Sequence, residues 1–117
     1  MRPKEFVQNY NFHDSLLSGI DYEPDKRVLT VTLYFAFWMQ KDFQDGAPET
    51  GPCQIVCREV SLVEFPCDIN YDQVSILGTE CDGEKLTFVM LNDVTDESFS
   101  LKVETKDVSF KSLTDSC

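Results

Sequence analysis

The feature of this 117-residue sequence that most constrains its fold is an alternating run from Val28 to Met39. Six apolar residues fall on one side of an extended chain here: Leu29, Val31, Leu33, Phe35, Phe37 and Met39. Because successive side chains of a strand point to opposite faces, a period of two predicts a β-strand rather than a helix. Twelve residues would span roughly 40 Å, which is longer than most strands, so we expect a bend or a bulge.

The opposite face of this strand changes character along its length. It begins with two threonines and ends with Tyr34, Ala36 and Trp38. Either another segment covers this apolar end, or the end is an exposed patch for a ligand or partner. The breaker-rich loop Lys41–Pro52 follows directly, so we expect it to fold over this end.

Two further strands are predicted around this run. Leu16–Tyr22 precedes it, separated by a proline turn at Glu23–Lys26. Three apolar residues of this strand would share one side: Leu16, Ile20 and Tyr22. Cys53–Phe65 follows the loop, and its broken alternation predicts a bulge at Arg58-Glu59.

The last third of the chain carries the clearest turn signals. Gln73–Glu80 and Lys85–Leu91 flank Asp82-Gly83, a dipeptide typical of a hairpin turn. Ser98–Glu104 alternates cleanly, with its apolar residues at every second position. The apolar parity then reverses, which requires a bulge or tight turn at Thr105–Asp107.

Together these patterns predict one all-β domain over residues 1–117. The spacing of about seven strands favours an antiparallel β-sandwich or an open barrel. A short N-terminal helix from about Pro3 to Tyr10 is also expected, with Phe6 and Tyr10 on one face.

The net charge is −11, and its excess is concentrated in the middle third. Arg58 is the one base among ten acids there: Asp42, Asp45, Glu49, Glu59, Glu64, Asp68, Asp72, Glu80, Asp82 and Glu84. Such a field repels nucleic acid and anionic membranes, and it steers a basic partner. No apolar run has the ~20 residues of a membrane helix, and the start lacks a secretory h-region, so we expect a cytoplasmic protein.

The cysteines are five in number: Cys53, Cys57, Cys67, Cys81 and Cys117. An odd number without a secretory signal favours reduced thiols. Cys53 and Cys57 would share one face of a strand, and buried structural cysteine is a better interpretation than a zinc site, which prefers tighter pairs or a nearby histidine. The sequence therefore predicts no metal and no cofactor.

The only histidine lies in the motif Phe12-His13-Asp14-Ser15. Pairing of His13 with a cysteine would make a hydrolase site, although Asp14 should point away from its own neighbour on an extended chain. The structural interpretation is stronger. Asp14 or Ser15 would bond backbone N–H groups at the entry to the first strand, and Phe12 would anchor that entry.

This motif, followed by the long hairpin, Ile55 to Phe65 and Gln73-Val74-Ser75-Ile76, resembles a family of small all-β bacterial immunity proteins from polymorphic-toxin loci. Val60-Ser61-Leu62 and Asp72-Gln73-Val74 stand where the family has a Val-x-x-Leu type of step and a polar strand entry. The resemblance implies tight binding of a cognate toxin, which a basic toxin would suit on charge grounds.

We therefore expect an acidic protein-binding module, an immunity-type inhibitor of a basic toxin. Five residues are the candidate contacts: Tyr34, Trp38, Asp42, Asp45 and Glu49. The alternatives are a carrier with a small-ligand pocket inside the fold and a His/Cys-dependent hydrolase.

Overall fold

The computed structural model describes residues 1–36, 38, 40, 44, 46, 50–65 and 73–113. Within these residues the chain forms one helix and eight strands: α1 (Pro3–Asn9), β1 (Ser15–Glu23), β2 (Val28–Ala36), β3 (Thr50–Arg58), β4 (Leu62–Glu64), β5 (Val74–Asp82), β6 (Lys85–Asn92), β7 (Ser98–Glu104) and β8 (Asp107–Ser112). The prediction of an all-β domain with a short N-terminal helix is confirmed. One more strand is present than expected, because Cys53–Phe65 divides into β3 and β4.

All strands pair antiparallel in one sheet of order β4-β7-β6-β5-β1-β2-β3-β8, which does not close into a full barrel. Its middle is narrow, since β1 and β5 pair through only Ser15↔Ile76 and Leu16↔Ser75. The sheet therefore consists of two four-stranded halves, which we call the first half (β1-β2-β3-β8) and the second half (β5-β6-β7-β4). Inward residues of both halves form one core, as in the predicted sandwich or open barrel.

Two short connections carry the chain from one half to the other. Glu59, with φ 53°, separates β3 from β4, so the bulge predicted at Arg58-Glu59 is instead a corner at which β3 ends. Thr105 makes the second corner, between β7 and β8, and is 1% exposed. Its hydroxyl donates a hydrogen bond to the carbonyl of Arg58 at 2.5 Å, which ties the two corners together.

The core is built from the alternation of β2 and the strands opposite it. Leu29, Val31, Leu33 and Phe35 are at most 2% exposed, as are Leu86, Phe88 and Met90 of β6. Each such side chain contributes on the order of 1.5–3 kcal/mol by leaving water. No helix among the described residues is long and apolar enough to cross a membrane.

The helix α1 closes one end of this core. Pro3 suits the first turn, where a missing N–H costs no hydrogen bond, and Phe6 is fully buried. The Phe6 ring lies 5.1 Å from that of Phe12 and 6.3 Å from that of Phe88. Seven residues would not hold a helix alone in water, so this aromatic packing stabilises α1.

One prediction about β1 is wrong. The pairing with β2 shifts between Leu17 and Gly19, so Ser18 is an extra residue and the faces exchange along the strand. Leu16 therefore points outward opposite Tyr34, while Ile20 packs against the core. Leu16 and Ile20 do not share a side, because a bulge of one residue reverses the parity.

Candidate binding surface

The outer face of the sheet carries a row of neighbouring side chains that crosses both halves. Leu16 pairs with Tyr34, and Tyr34 pairs with Pro52 of β3. In the other direction Leu16 pairs with Ser75, and Ser75 pairs with Leu91. We call these five residues the outer row. Directly opposed residues have Cβ atoms about 5 Å apart, so the row is continuous.

Exposure along the outer row is greatest at its centre. Tyr34 is 51% exposed and Leu16 is 47% exposed, although both lie in strands whose next residues are fully buried. The expectation that these side chains are buried is wrong for Tyr34 and also for Trp38, which is 44% exposed, while most of the loop Lys41–Pro52 lies outside the described residues. Ala36 alone of the three is buried, because β2 ends there and its N–H bonds to the hydroxyl of Ser15.

The segment that carries Trp38 is held against the chain before β1. The side chain of Gln40 donates to the carbonyls of Asn11 and Ala36, at 2.6 and 3.0 Å. Its amide oxygen accepts the N–H of Asn11 at 3.0 Å. These three hydrogen bonds fix residue 40 beside the entry to β1, and Trp38 lies two residues earlier, between the end of β2 and this point.

A shallow cavity of about 250 Å³ lies next to the outer row, on the outward side of β5. Its lining is formed by five residues: Leu77, Gly78, Thr79, Glu80 and Val89. It occurs where the pairing of β5 with β6 shifts between Ile76 and Gly78. Leu77 is 37% exposed at this irregularity, so one wall of the cavity is apolar.

His13 lies at the edge of this region, and its surroundings differ from those expected. Its Nδ1 donates to the carbonyl of Leu77 at 3.0 Å, because a carbonyl oxygen can only accept. Its Nε2 lies 3.6 Å from Oδ1 of Asp14, so the prediction that Asp14 points away is wrong. Asp14 has φ 66°, which turns the chain and brings the two neighbouring side chains together.

The motif residues around His13 mostly bond to backbone. Phe12 is 1% exposed, and its carbonyl accepts the N–H of Ser15 at 3.0 Å. Ser15 is fully buried, and its hydroxyl is the acceptor for the N–H at the end of β2. Asn11 accepts the N–H of His13, and Asp14 donates its own N–H to Ile76. The motif thus links the start of β1 to β2 and β5.

The two thiols of β3 offer little for nucleophilic chemistry. Cys53 and Cys57 share the inner face of β3 and are fully buried. Burial, with a smaller contribution from the Asp107 charge, raises the pKa of Cys57 to about 12, and burial also raises the pKa of Cys53. Only the thiolate is a strong nucleophile or metal ligand, so both groups are inert near neutral pH. Within the described part of the chain, no three His, Cys, Asp or Glu side chains are grouped to hold a metal ion.

Half of the ten middle-third acids lie in the described residues. Glu64 is on β4 and Glu80 and Asp82 are on β5, while Glu59 and Glu84 are in turns. The contact candidates Asp42, Asp45 and Glu49 lie outside the described residues, as do Cys67 and Cys117.

Of the predicted contact residues, the structure brings Tyr34 and Trp38 to one end of β2. Sequence reasoning missed the nearby exposed residues Leu16 and Leu77. The exposure of both residues depends on a nearby bulge, and a bulge cannot be recognised from the alternation of apolar residues within one strand.

The exposed centre of the outer row consists of one aliphatic and one aromatic side chain, Leu16 and Tyr34. Comparisons with protein-family models, with curated proteins and with solved structures found no match.

Proposed function

We propose that this chain is a protein-binding module of the cytoplasm, an immunity-type inhibitor whose outer row and Trp38 dock a basic bacterial toxin. The observation that carries the proposal is the exposure of Tyr34 and Leu16 on the outer face, with Trp38 also exposed two residues beyond the end of β2. Large side chains are rarely left half-exposed together on one face unless a partner covers them.

The shape of the surface supports a protein as the occupant. The outer row spans five strands, so it is broad and shallow, whereas sites for small molecules are concave. Tyrosine and tryptophan are the residues that most often dominate the binding energy of protein interfaces. The cavity beside Leu77 would receive one side chain of the partner.

Charge supports a basic partner. The chain carries −11 overall, and three of its acids fall between Trp38 and β3, in the segment that leads away from the patch. Opposite net charges raise the rate of encounter and discriminate against acidic partners. The motif Phe12-His13-Asp14, which resembles that of immunity proteins, would serve this function by holding the outer row in place, since it ties β1 to β2 and β5.

The test uses the protein encoded next to this chain as the candidate toxin. Cells would express that protein with the wild-type chain, with Tyr34→Ala or with Leu16→Ala. We expect the wild-type chain to restore growth and each variant to bind about 30-fold more weakly, which corresponds to the ~2 kcal/mol of an interface hot spot. The matched control is Leu62→Ala, since Leu62 is 37% exposed on the edge strand β4, level with Glu104 and Lys85 at the opposite end of the second half from Ser75 and Leu91.

Two readouts on the purified complex complete the test. Trp38 is the only tryptophan, so quenching of its fluorescence by acrylamide should be efficient in the free protein and should fall on binding. Association should also slow steeply from low to high salt. Growth that is not restored by the wild-type chain, or binding by Tyr34→Ala equal to that by Leu62→Ala, contradicts the proposal.

A further inference from the structure

A second concave site lies at the far end of β5, where cations rather than acids collect. It is a cavity of about 460 Å³ between the start of α1, the β5–β6 turn and the β7–β8 connection. Six residues line it: Arg2, Pro3, Lys4, Gly83, Glu84 and Lys106. Three cations and one carboxylate give the lining a net charge of about +2, in a chain whose total is −11.

The walls of this cavity are held together by backbone hydrogen bonds. The carbonyl of Glu84 accepts the N–H of Thr105 at 3.0 Å, which joins the β5–β6 turn to the β7–β8 connection. The carbonyl of Met1 accepts the N–H of Val108 at 2.7 Å, which joins the segment before α1 to β8. Gly83 takes φ 62°, a conformation that glycine adopts without steric cost. The three cations are therefore presented by a fixed frame.

The cations of the cavity are not neutralised by the carboxylates in the described part of the chain. The four ion pairs found there involve neither Arg2, nor Lys4, nor Lys106. Asp107, next to Lys106, is already engaged, since its two oxygens lie 2.9 Å from the amino group of Met1 and 3.6 Å from Arg58. Three like charges around one cavity repel each other, and a bound anion would remove that repulsion.

We propose that this cavity binds a small multivalent anion of the phosphate-bearing class. Its volume lies within the range of small-molecule sites, about 300–1,000 Å³. Arg2 offers the planar fork that grips phosphate oxygens in pairs, and Lys4 and Lys106 add point charges from two other directions. With one carboxylate in the lining, a monovalent anion leaves about one positive charge unbalanced, whereas a phosphate group with its charge of about −2 near neutral pH matches the excess.

This site is separate from the outer row. Ser75 of the outer row and Gly83 of the cavity lie eight positions apart along the β5 hairpin, roughly 26 Å at ~3.3 Å per residue. The inference therefore does not rest on the proposed function, and the two can fail independently.

The probe is inorganic pyrophosphate, titrated calorimetrically into the full chain at low ionic strength, where charge interactions are least screened. We expect saturable 1:1 binding, and about tenfold weaker binding for Lys4→Ala and for Lys106→Ala. The control is Lys26→Ala, which changes the net charge equally. Lys26 lies in the β1–β2 turn, 3.3 Å from Glu23, and does not line the cavity.

Each outcome of the titration either supports or overturns the proposed anion site. Weakening by Lys4→Ala and Lys106→Ala with Lys26→Ala unchanged supports the site, provided that circular dichroism shows both variants folded. If one of the two variants is unfolded, the other decides. No heat of binding at millimolar pyrophosphate, or equal weakening by Lys26→Ala, overturns the inference, because the second result would mean attraction by overall charge alone.

Discussion

Replacement of Phe12 should separate a structural role of the Phe-His-Asp motif from a direct role in recognition. Phe12 is 1% exposed, at the point where α1 and both halves of the sheet meet. Five rings surround it with centroids 5.1–6.3 Å away: Phe6, Tyr10, Phe35, Phe88 and Phe110. Its neighbour His13, in contrast, has a half-exposed side chain and one ring hydrogen bond to Leu77.

Phe12→Ala and His13→Ala should lower the free energy of unfolding by clearly different amounts. Phe12→Ala removes a buried ring and leaves a cavity, which costs about 3–5 kcal/mol. A domain of this size has a total stability of only about 5–15 kcal/mol, so a large part of it would be lost. At roughly 4 °C per kcal/mol the midpoint of thermal unfolding falls by about 12–20 °C. His13→Ala removes one exposed hydrogen bond, worth about 0.5–1.5 kcal/mol.

Urea denaturation followed by circular dichroism measures the free energies of unfolding of Phe12→Ala and His13→Ala under one set of conditions. Phe12→Leu is a milder companion that keeps most of the apolar volume, and it should fall between the wild type and Phe12→Ala. A cost below about 1.5 kcal/mol for Phe12→Ala would refute the packing described here. So would a larger loss from His13→Ala than from Phe12→Ala.

Two more predictions concern buried polar groups. Ser15→Ala should lower the free energy of unfolding by about 1–3 kcal/mol, because a buried strand N–H loses its acceptor, while Ser18→Ala in the exposed bulge should stay within about 0.5 kcal/mol of wild type. Cys57 has a pKa raised to about 12, chiefly by burial and then by the Asp107 charge, from an ordinary value of 9.0. Its contribution to stability is therefore full below pH 9 and is lost as pH rises toward 12, by about 2 kcal/mol at pH 10.5. Denaturation at pH 8 and at pH 10.5 gives the free energy of unfolding lost between the two pH values. This loss should be smaller for Cys57→Ala than for wild type or for the more accessible Cys81→Ala. A loss in Cys57→Ala equal to that in wild type would contradict the assignment.

Local rules explain the parts of the fold that the sequence predicted. The alternation of β2 holds from Leu29 to Phe35, because each step of an extended chain reverses the side chain. The hairpin predicted at Asp82-Gly83 is present, but Asp82 still pairs with Lys85, so its two-residue loop is Gly83-Glu84, with Gly83 at the positive φ that the first loop position needs. The short helix at Pro3–Asn9 was found from its proline and its aromatic spacing.

The parts that sequence reasoning missed depend on contacts between distant segments. The bulge at Ser18, where the pairing of β1 with β2 shifts, reverses the parity of the strand, so Leu16 and Ile20 lie on opposite faces. Whether Tyr34 is covered depends on the path of other segments, which a strand pattern does not contain. The approach of His13 to Asp14 depends on the positive φ of Asp14, a conformation that aspartate adopts without any required sequence signal.

The narrow junction between the halves has a consequence for any complex. Leu16 belongs to the first half and Ser75 to the second, and only two residue pairs join them. On the proposed function, the outer row is a composite binding surface that exists only while both halves remain docked. A partner seated across it would brace the junction, and at a concentration 100 times its Kd it would add about 2.7 kcal/mol to the free energy of unfolding. Amide hydrogen exchange at the first residues of β1 and β5 would then slow when the partner binds, far more than exchange at the distant β5–β6 turn.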